Sequence, residues 1–303
     1  MPDAGGLLLV HAHPDDEVFS TGGVIARSVA EDRRVDLVTC TGGEEGEIHD
    51  PDLDPEEARP RLGQIRFGEL QRSLAALRGP GPGELRLHLL GYRDSGMMGS
   101  ISNDDPRCFW QADPEEATGR LVTLVREARP SAMVTYDANG LYGHPDHIRA
   151  HRVAMDAWEA AADSSRYPDA GPAHAVERFY EVAISRDGWG ELIAEMVSRG
   201  IPLPWDMDAQ EAGGGEGEIS GAEASSFGTP ASAITTVVDV AAWASQKRAA
   251  VTAHRTQLQD FGWMLNLPDD LAARVMTPEH FALTRWRGGP VPADLRETSL
   301  FGS

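Results

Sequence analysis

The chain has 303 residues, 41% of them apolar, and carries 27 basic against 48 acidic side chains, a formal charge of −21. That length can bury a substantial core, while so acidic a surface repels phosphate backbones and anionic lipid, so neither nucleic-acid nor membrane partners are expected. No stretch reaches the roughly 20 apolar residues of a membrane span. The run GLLLV (6–10) is too short for the apolar core of a secretory leader, and two cysteines, Cys40 and Cys108, make no disulfide framework. A cytoplasmic protein with idle thiols is expected.

In chain order, LLLVHA (7–12) reads as a strand, VFSTGGVIARSVAE (18–31) as a helix and RVDLVTCT (34–41) as a second strand, followed by a polar, acidic loop from 42 to about 60. RFGELQRSLAALR (66–78) has helical period and is broken by GPGPG (79–83). LRLHLLGY (85–92) is a third strand, PEEATGRLVTLVREA (114–128) a helix, AMVTYD (132–137) a fourth strand, and PDHIRAHRVAMDAWEAAA (145–162) a long helix with Pro145 at its start. Strands alternating with helices of this length predict βαβ units in a Rossmann-like α/β fold, a mostly parallel sheet with helices on both faces. Beyond 172 the pattern weakens. RFYEVAIS (178–185) and ITTVVDV (234–240) read as strands, AAWASQKRAAVTAHRTQL (241–258) reads as a helix, and the Gly-, Ala-, Ser- and Glu-rich stretch 208–232 buries little and reads as a flexible loop. The expected organisation is a catalytic domain over 1–172 and a smaller α+β part over 173–303 that contributes to the substrate pocket.

Parallel α/β sheets present ligands at the carboxyl ends of their strands, and HAHPDDE (11–17) sits at such an end. His13 and Asp16, three apart with Pro14 stiffening the turn, can converge on one cation; imidazole with carboxylate suits zinc or another borderline divalent metal. A catalytic zinc needs a third protein ligand and an open position. YGHPDH (142–147), just after strand four, offers His144 and His147 with His151 on one helical face, and His147 completes a His-Asp-His set most naturally. Asp15, beside a ligand but not required as one, is placed to take a proton from a metal-activated water. Either cluster alone reads as a cap or a solvated loop; two of them, each containing H-P-D at a predicted strand end, favour a metal site. A non-catalytic sugar- or nucleotide-binding protein is the alternative from another class. It would need a G-x-G-x-x-G after strand one, which is missing, and it has no use for a spare carboxylate beside a metal ligand. A serine hydrolase would need a G-x-S-x-G elbow, also missing.

At these residues the sequence resembles the LmbE-like (PIG-L) deacetylase superfamily of zinc-dependent N-acyl hydrolases, which act mostly on N-acetylglucosamine derivatives. The shared motifs are HAHPDDE (11–17), TGGEEGE (41–47), RFGEL (66–70), RDSGM (93–97), VTYDANGLYGHPDH (134–147) and AHRTQ (253–257). Order and spacing are most similar to the mycothiol-pathway enzymes, of which one removes acetate from N-acetylglucosaminyl-inositol and a relative cleaves mycothiol S-conjugates. The resemblance implies one zinc per chain on His13, Asp16 and His147, with iron(II) suited to the same donors, and Asp15 as general base. It implies that Tyr142 stabilises the oxyanion, that His144 stabilises the transition state or protonates the leaving amine, and that Asp146 orients His144. Arg66, Asp94 and Met97, with Glu47, would line the sugar and inositol pocket. His11 and His151 are read as packing or support, and Glu17 as favouring the N-terminus of the helix that follows. Leu141 stands where the mycothiol enzymes carry glycine. Ser20 is similar to the deacetylase, whereas GGEEGEIHDP (42–51), HPDHIRAH (144–151) and RYPDAG (166–171) are similar to the conjugate amidase. The expected activity is metal-dependent removal of an N-acyl group from a small glucosaminyl-inositol; the alternatives are mycothiol S-conjugate cleavage and deacetylation of an aminosugar in secondary metabolism.

Overall fold

The computed structural model describes residues 5–203, 228–258 and 262–302. Among them seven strands form one sheet: β1 (Gly6–His11), β2 (Val35–Thr41), β3 (Leu85–Tyr92), β4 (Pro130–Thr135), β5 (Arg178–Ala183), β6 (Thr236–Val238) and β7 (Glu279–Trp286). The spatial order is β3-β2-β1-β4-β5-β7-β6. The first five strands run parallel, and β7 lies antiparallel between β5 and β6. Leu9 of β1 is paired with Leu37 on one side and Val134 on the other. Leu7 to Val10 are fully buried, as a central parallel strand covered on both faces requires, which is why this strand reads as an unbroken apolar run.

The predicted helix over 18–31 is two helices, α1 (Asp16–Ser20) and α2 (Gly22–Ala30), broken at Thr21 with φ −136°. The Thr21 hydroxyl donates back to the Glu17 carbonyl and meets the His11 ring at 2.9 Å, and the first free N–H groups of α2, on Gly23 and Val24, donate to the Glu279 carboxylate at 2.7 Å each. The acidic loop holds a short helix, α3 (Pro55–Ala58), capped by Asp54, and the helix expected over 66–78 begins earlier, as α4 (Leu62–Arg78). Next come α5 (Pro114–Ala128), the single turn α6 (Gly140–Gly143), α7 (Pro145–Ala161) and α8 (Arg186–Ser198). The last two are α9 (Ala244–Ala253), shorter than the helix expected over 241–258, and α10 (Asp269–Met276). α2, α4 and α9 pack together as one layer, and α5 against α7 as another.

Strands β5 to β7 extend the same sheet as the first four, and Phe179, Tyr180 and Phe281 share a core with β1 and β2. A smaller cluster, Leu192 and Met196 of α8 with Leu271 of α10, packs at the C-terminal side. Of the loop expected over 208–232, residues 208–227 lie outside the described residues; the remainder meets the segment between β5 and α8 through a bridge between Thr229 and Ser185. No helix among the described residues is long and apolar enough to cross a membrane.

Candidate active site

The loop leaving β1 and the first turn of α7 bring three donors together. His13 Nδ1 lies 3.3 Å from His147 Nε2, His147 Nε2 lies 3.3 Å from Asp16 Oδ1, and His13 Nδ1 lies 3.4 Å from Asp16 Oδ2. Nitrogen and oxygen donors about 2.0–2.1 Å from a tetrahedral metal stand about 3.3–3.4 Å apart, which is the spacing between the two histidine nitrogens; Asp16 turns one oxygen to each ring, Oδ1 to His147 and Oδ2 to His13. Two imidazole nitrogens facing each other beside a carboxylate also have the chemistry of a cation cradle. Each donor is backed. The Tyr136 hydroxyl donates to Asp16 Oδ2 at 2.7 Å and accepts the Ala12 N–H, while its ring stacks on His147 at 4.1 Å. The far nitrogen of His13, Nε2, faces Asp146 Oδ2 at 3.3 Å and Asp94 Oδ1 at 3.6 Å, the carboxylate–histidine pairing that orients a metal-binding ring. Burial opposes charge on His13, yet the carboxylates of Asp94, Asp146 and Asp16 outweigh it and hold its pKa well above the ordinary value. A field that draws a proton there also favours a metal cation. By distance His144 groups with His13 and His147, and also with His13, Asp94 and Asp146.

Asp15 caps α1 with φ 121° and ψ −27°, a conformation L-residues rarely adopt. Burial raises its carboxyl pKa and the Asp16 charge adds to that; Arg66, 2.8 Å away, offsets only part, leaving it at about 7. Arg66 is buried and donates to the carbonyls of Gly43 (2.8 Å) and Pro14 (2.7 Å) as well as to Asp15. Most of its donors are therefore engaged by the protein, and it fastens two loops at the wall of the site.

The lip of the cavity includes α6, through Leu141 and Tyr142. Gly140, Leu141 and Gly143 all have φ between 63° and 90°, and Leu141, at 66°, is held by donating its N–H to Asp137 Oδ1 at 2.9 Å. That turn presents Tyr142, 54% exposed, with its ring 5.0 Å from His147 and 6.2 Å from His144. Partial desolvation of its hydroxyl by the cavity, with the nearby Asp16 charge, raises the Tyr142 pKa, so the phenol keeps its proton. His144 is the N-cap of α7, its Nδ1 accepting the backbone N–H of Asp146 at 3.1 Å. Burial, with His13 and His147 nearby, lowers its pKa to about 3; the ring is neutral, with its proton on Nε2.

Asp146 departs from its expected role. Its carboxylate accepts from the Ser95 N–H (2.9 Å) and hydroxyl and faces His13, so only its backbone touches His144. At the start of a helix the capping side chain turns back to the N–H two residues on, which directs the Asp146 side chain elsewhere. All the other predicted residues, from Glu47 and Arg66 to Asp94, Met97 and Tyr142, line one cavity of about 740 Å³ together with His13, Asp16 and His147; Asp146 lies behind His13. Asp94 accepts the N–H groups of Gly96 and Glu45, Met97 is half exposed on the rim, and the exposed Glu47 side chain pairs with His49 at 3.0 Å. Phe19, Trp189 and Trp263 form an aromatic wall. Glu17 does stand in the first turn of α1, but its carboxylate is buried and bonded to Asp15, Ser73 and His254. From the AHRTQ motif, Thr256 donates twice to Glu69, and Gln257 donates to the Glu47 carbonyl at 2.7 Å. The motif was visible in the sequence; its anchoring contacts, made across the fold, were not.

The sequence matches the PIG-L family, described as GlcNAc-PI de-N-acetylase, over residues 8–158. A 1D-myo-inositol 2-acetamido-2-deoxy-alpha-D-glucopyranoside deacetylase of Geodermatophilus obscurus is 42% identical over 301 residues, covering 97% of this chain and 96% of its own. An N,N'-diacetylchitobiose deacetylase from Pyrococcus horikoshii superposes with a TM-score of 0.56 at 17% identity, over 92% of this chain and 84% of its own. A 4-carboxy-2-hydroxymuconate hydratase from Pseudomonas putida gives 0.59 at 16% identity, over 95% and 98%. These two structures carry different chemistries on one architecture, so their likeness speaks to the fold alone. The near-full-length sequence similarity goes further: the chain belongs to the PIG-L de-N-acetylase family.

Proposed function

We propose that this protein hydrolyses the N-acetyl amide of a glucosaminyl-inositol, the deacetylation reaction of mycothiol biosynthesis, acting in the cytoplasm on a small substrate with zinc as its metal. The observation that carries the reading is the position of Asp15: its carboxylate stands on the wall of the cavity, in the same lining as His13, Asp16 and His147, whose donors converge within 3.3–3.4 Å of one another in pairs. The substrate class comes from the Geodermatophilus relative, similar along nearly its whole length.

His13, Asp16 and His147 would hold the cation, which when bound supplies Lewis acidity toward the amide carbonyl and the attacking water. Asp15 takes the proton of that water, and a pKa near neutrality lets the same group give it up again to the departing amine. The Tyr142 hydroxyl and the Nε2–H of neutral His144 are donors on the cavity wall for the oxygen that gains charge as the carbonyl becomes tetrahedral; such donors act because they are already in place. Neutral His144 is a hydrogen-bond donor here rather than a proton store, so the returning proton is assigned to Asp15.

The test is amine release by zinc-loaded protein from N-acetylglucosaminyl-inositol and from a mycothiol S-conjugate, side by side. Preference for the first supports the proposal; preference for the second reassigns the protein as a conjugate amidase. Chelation should abolish turnover and zinc restore it. Asp15→Asn should keep its metal and lose about 10²- to 10⁴-fold in kcat.

A further inference from the structure

The residue whose carboxylate the reaction needs also has an unfavourable backbone conformation. Asp15 sits at φ 121°, ψ −27°, and a side-chain-bearing residue stays in such a region only where its surroundings over-determine it. Arg66 supplies one constraint, bonding the Pro14 carbonyl and the Asp15 carboxylate. Glu17 supplies the other. Its Oε2 accepts the Asp15 N–H at 2.9 Å, so the orientation of that peptide depends on where the Glu17 carboxylate is held. Its Oε1 is gripped by the Ser73 hydroxyl of α4 at 2.6 Å and by His254 Nε2 at 2.7 Å.

His254 follows α9 in the chain, 237 positions from Glu17, and is 0% exposed. Its Nδ1 has no hydrogen-bond partner among the described residues, and neither His254 nor Glu17 lines the cavity. A buried imidazole costs desolvation free energy, and the polar contact its side chain makes in return is with the carboxylate that holds the Asp15 peptide. The geometry points to His254 as a positioning residue for Asp15: through Glu17 it keeps the peptide turned so that the carboxylate faces the metal donors and the cavity. This rests on Asp15 being the base. The helix layer of α4 and α9 would thereby set the alignment of the loop that leaves β1.

The test compares wild type, His254→Leu and His254→Gln, the glutamine offering an amide N–H near the place of Nε2. Metal content, kcat and KM for N-acetylglucosaminyl-inositol are measured for each, and the leucine variant is crystallised. The leucine variant should bind one metal ion per chain, keep KM within about twofold and lose about 10- to 100-fold in kcat, as small misplacements of a catalytic group do. Glutamine should recover most of that loss. A merely structural role would lower stability and leave kcat per metal-loaded molecule unchanged; that result, or a loss explained by missing metal, overturns the proposal. Should the leucine variant fail to fold, Ser73→Ala, which removes the other grip on Glu17, should lower kcat about 3- to 10-fold at unchanged KM, and an unaltered kcat there counts against it. If wild type releases no amine, the functional reading fails on its own, and the positioning claim is then decided by crystallography. A moved Asp15 peptide in the variant supports the claim, and an unmoved one overturns it.

Discussion

Asp146 shows how a residue can be placed by its motif beside one partner and turn its side chain to another. Two places after His144 and one before His147, it is adjacent in sequence to both, yet its carboxylate turns to Ser95 and to the far nitrogen of His13. A carboxylate in that place raises the basicity of a metal-binding imidazole and fixes its tautomer, and losing it typically costs about 10- to 100-fold in metal affinity. Asp146→Asn should therefore weaken zinc binding by about tenfold, measured by competition with a chromophoric chelator, with turnover recovering at saturating zinc. If the carboxylate instead served His144, affinity would hold and the loss in kcat would persist at saturation. Leu141 belongs to the same scale. At φ 66° and ψ −56° it occupies a conformation in which a branched side chain costs on the order of 1–3 kcal/mol, and it stands beside the tyrosine of the cavity lip.

Among the elements, β7 is the one whose role was hidden. Its inward positions, Phe281 and Leu283, follow the period-2 pattern, but the first of them is Glu279, and a carboxylate at a core position masks the strand. That carboxylate caps α2 through the N–H groups of Gly23 and Val24 and pairs with Lys247, the chain's only lysine, at 2.7 Å, both side chains being almost fully buried. A carboxylate at a helix N-terminus is favourable, but the larger effect comes from the buried ammonium, which has no other counter-charge in contact with it among the described residues. Glu279→Gln should cost about 3–5 kcal/mol, the usual consequence of breaking a buried pair from one side. Urea denaturation would measure it, and adding Lys247→Met should restore a substantial part. The break between α1 and α2 has a related origin: Thr21 and the two glycines that follow allow it, but the Glu279 carboxylate that stabilises the new N-terminus arrives from 256 residues away.

For the molecule as a whole, a charge of −21 at neutral pH sets up a general self-repulsion, screened beyond about 10 Å at 0.1 M salt. Specific buried carboxylates tie stability to pH more tightly. Burial would raise the pKa of Asp36 on β2, but hydrogen bonds from His88 and Arg34 outweigh burial and leave it lowered. The folded state then binds fewer protons than the unfolded state, so this contribution is fully present above the unfolded value of about 4 and is lost as pH falls through the folded value. The urea midpoint should decline steeply below about pH 4, and Asp36→Asn should flatten that acid limb while lowering the midpoint at neutral pH.

The sequence by itself determined the parallel α/β architecture and pointed to the place of the candidate site. Strand and helix periods are local properties, and the two H-P-D clusters announce themselves at predicted strand ends. His13 and Asp16 lie three residues apart and His147 opens a helix, so their convergence needed little beyond adjacent parallel strands, and the structure brings them together in pairs at 3.3–3.4 Å. Only the tertiary structure decided which groups stand behind them: Asp146 behind His13, Tyr136 behind Asp16, Glu17 and His254 behind Asp15, and three C-terminal strands continuing the sheet. Those pairings span up to 237 positions of chain. Sequence periodicity records which face of an element is buried, whereas the partner a buried polar group finds is set by how the chain closes on itself.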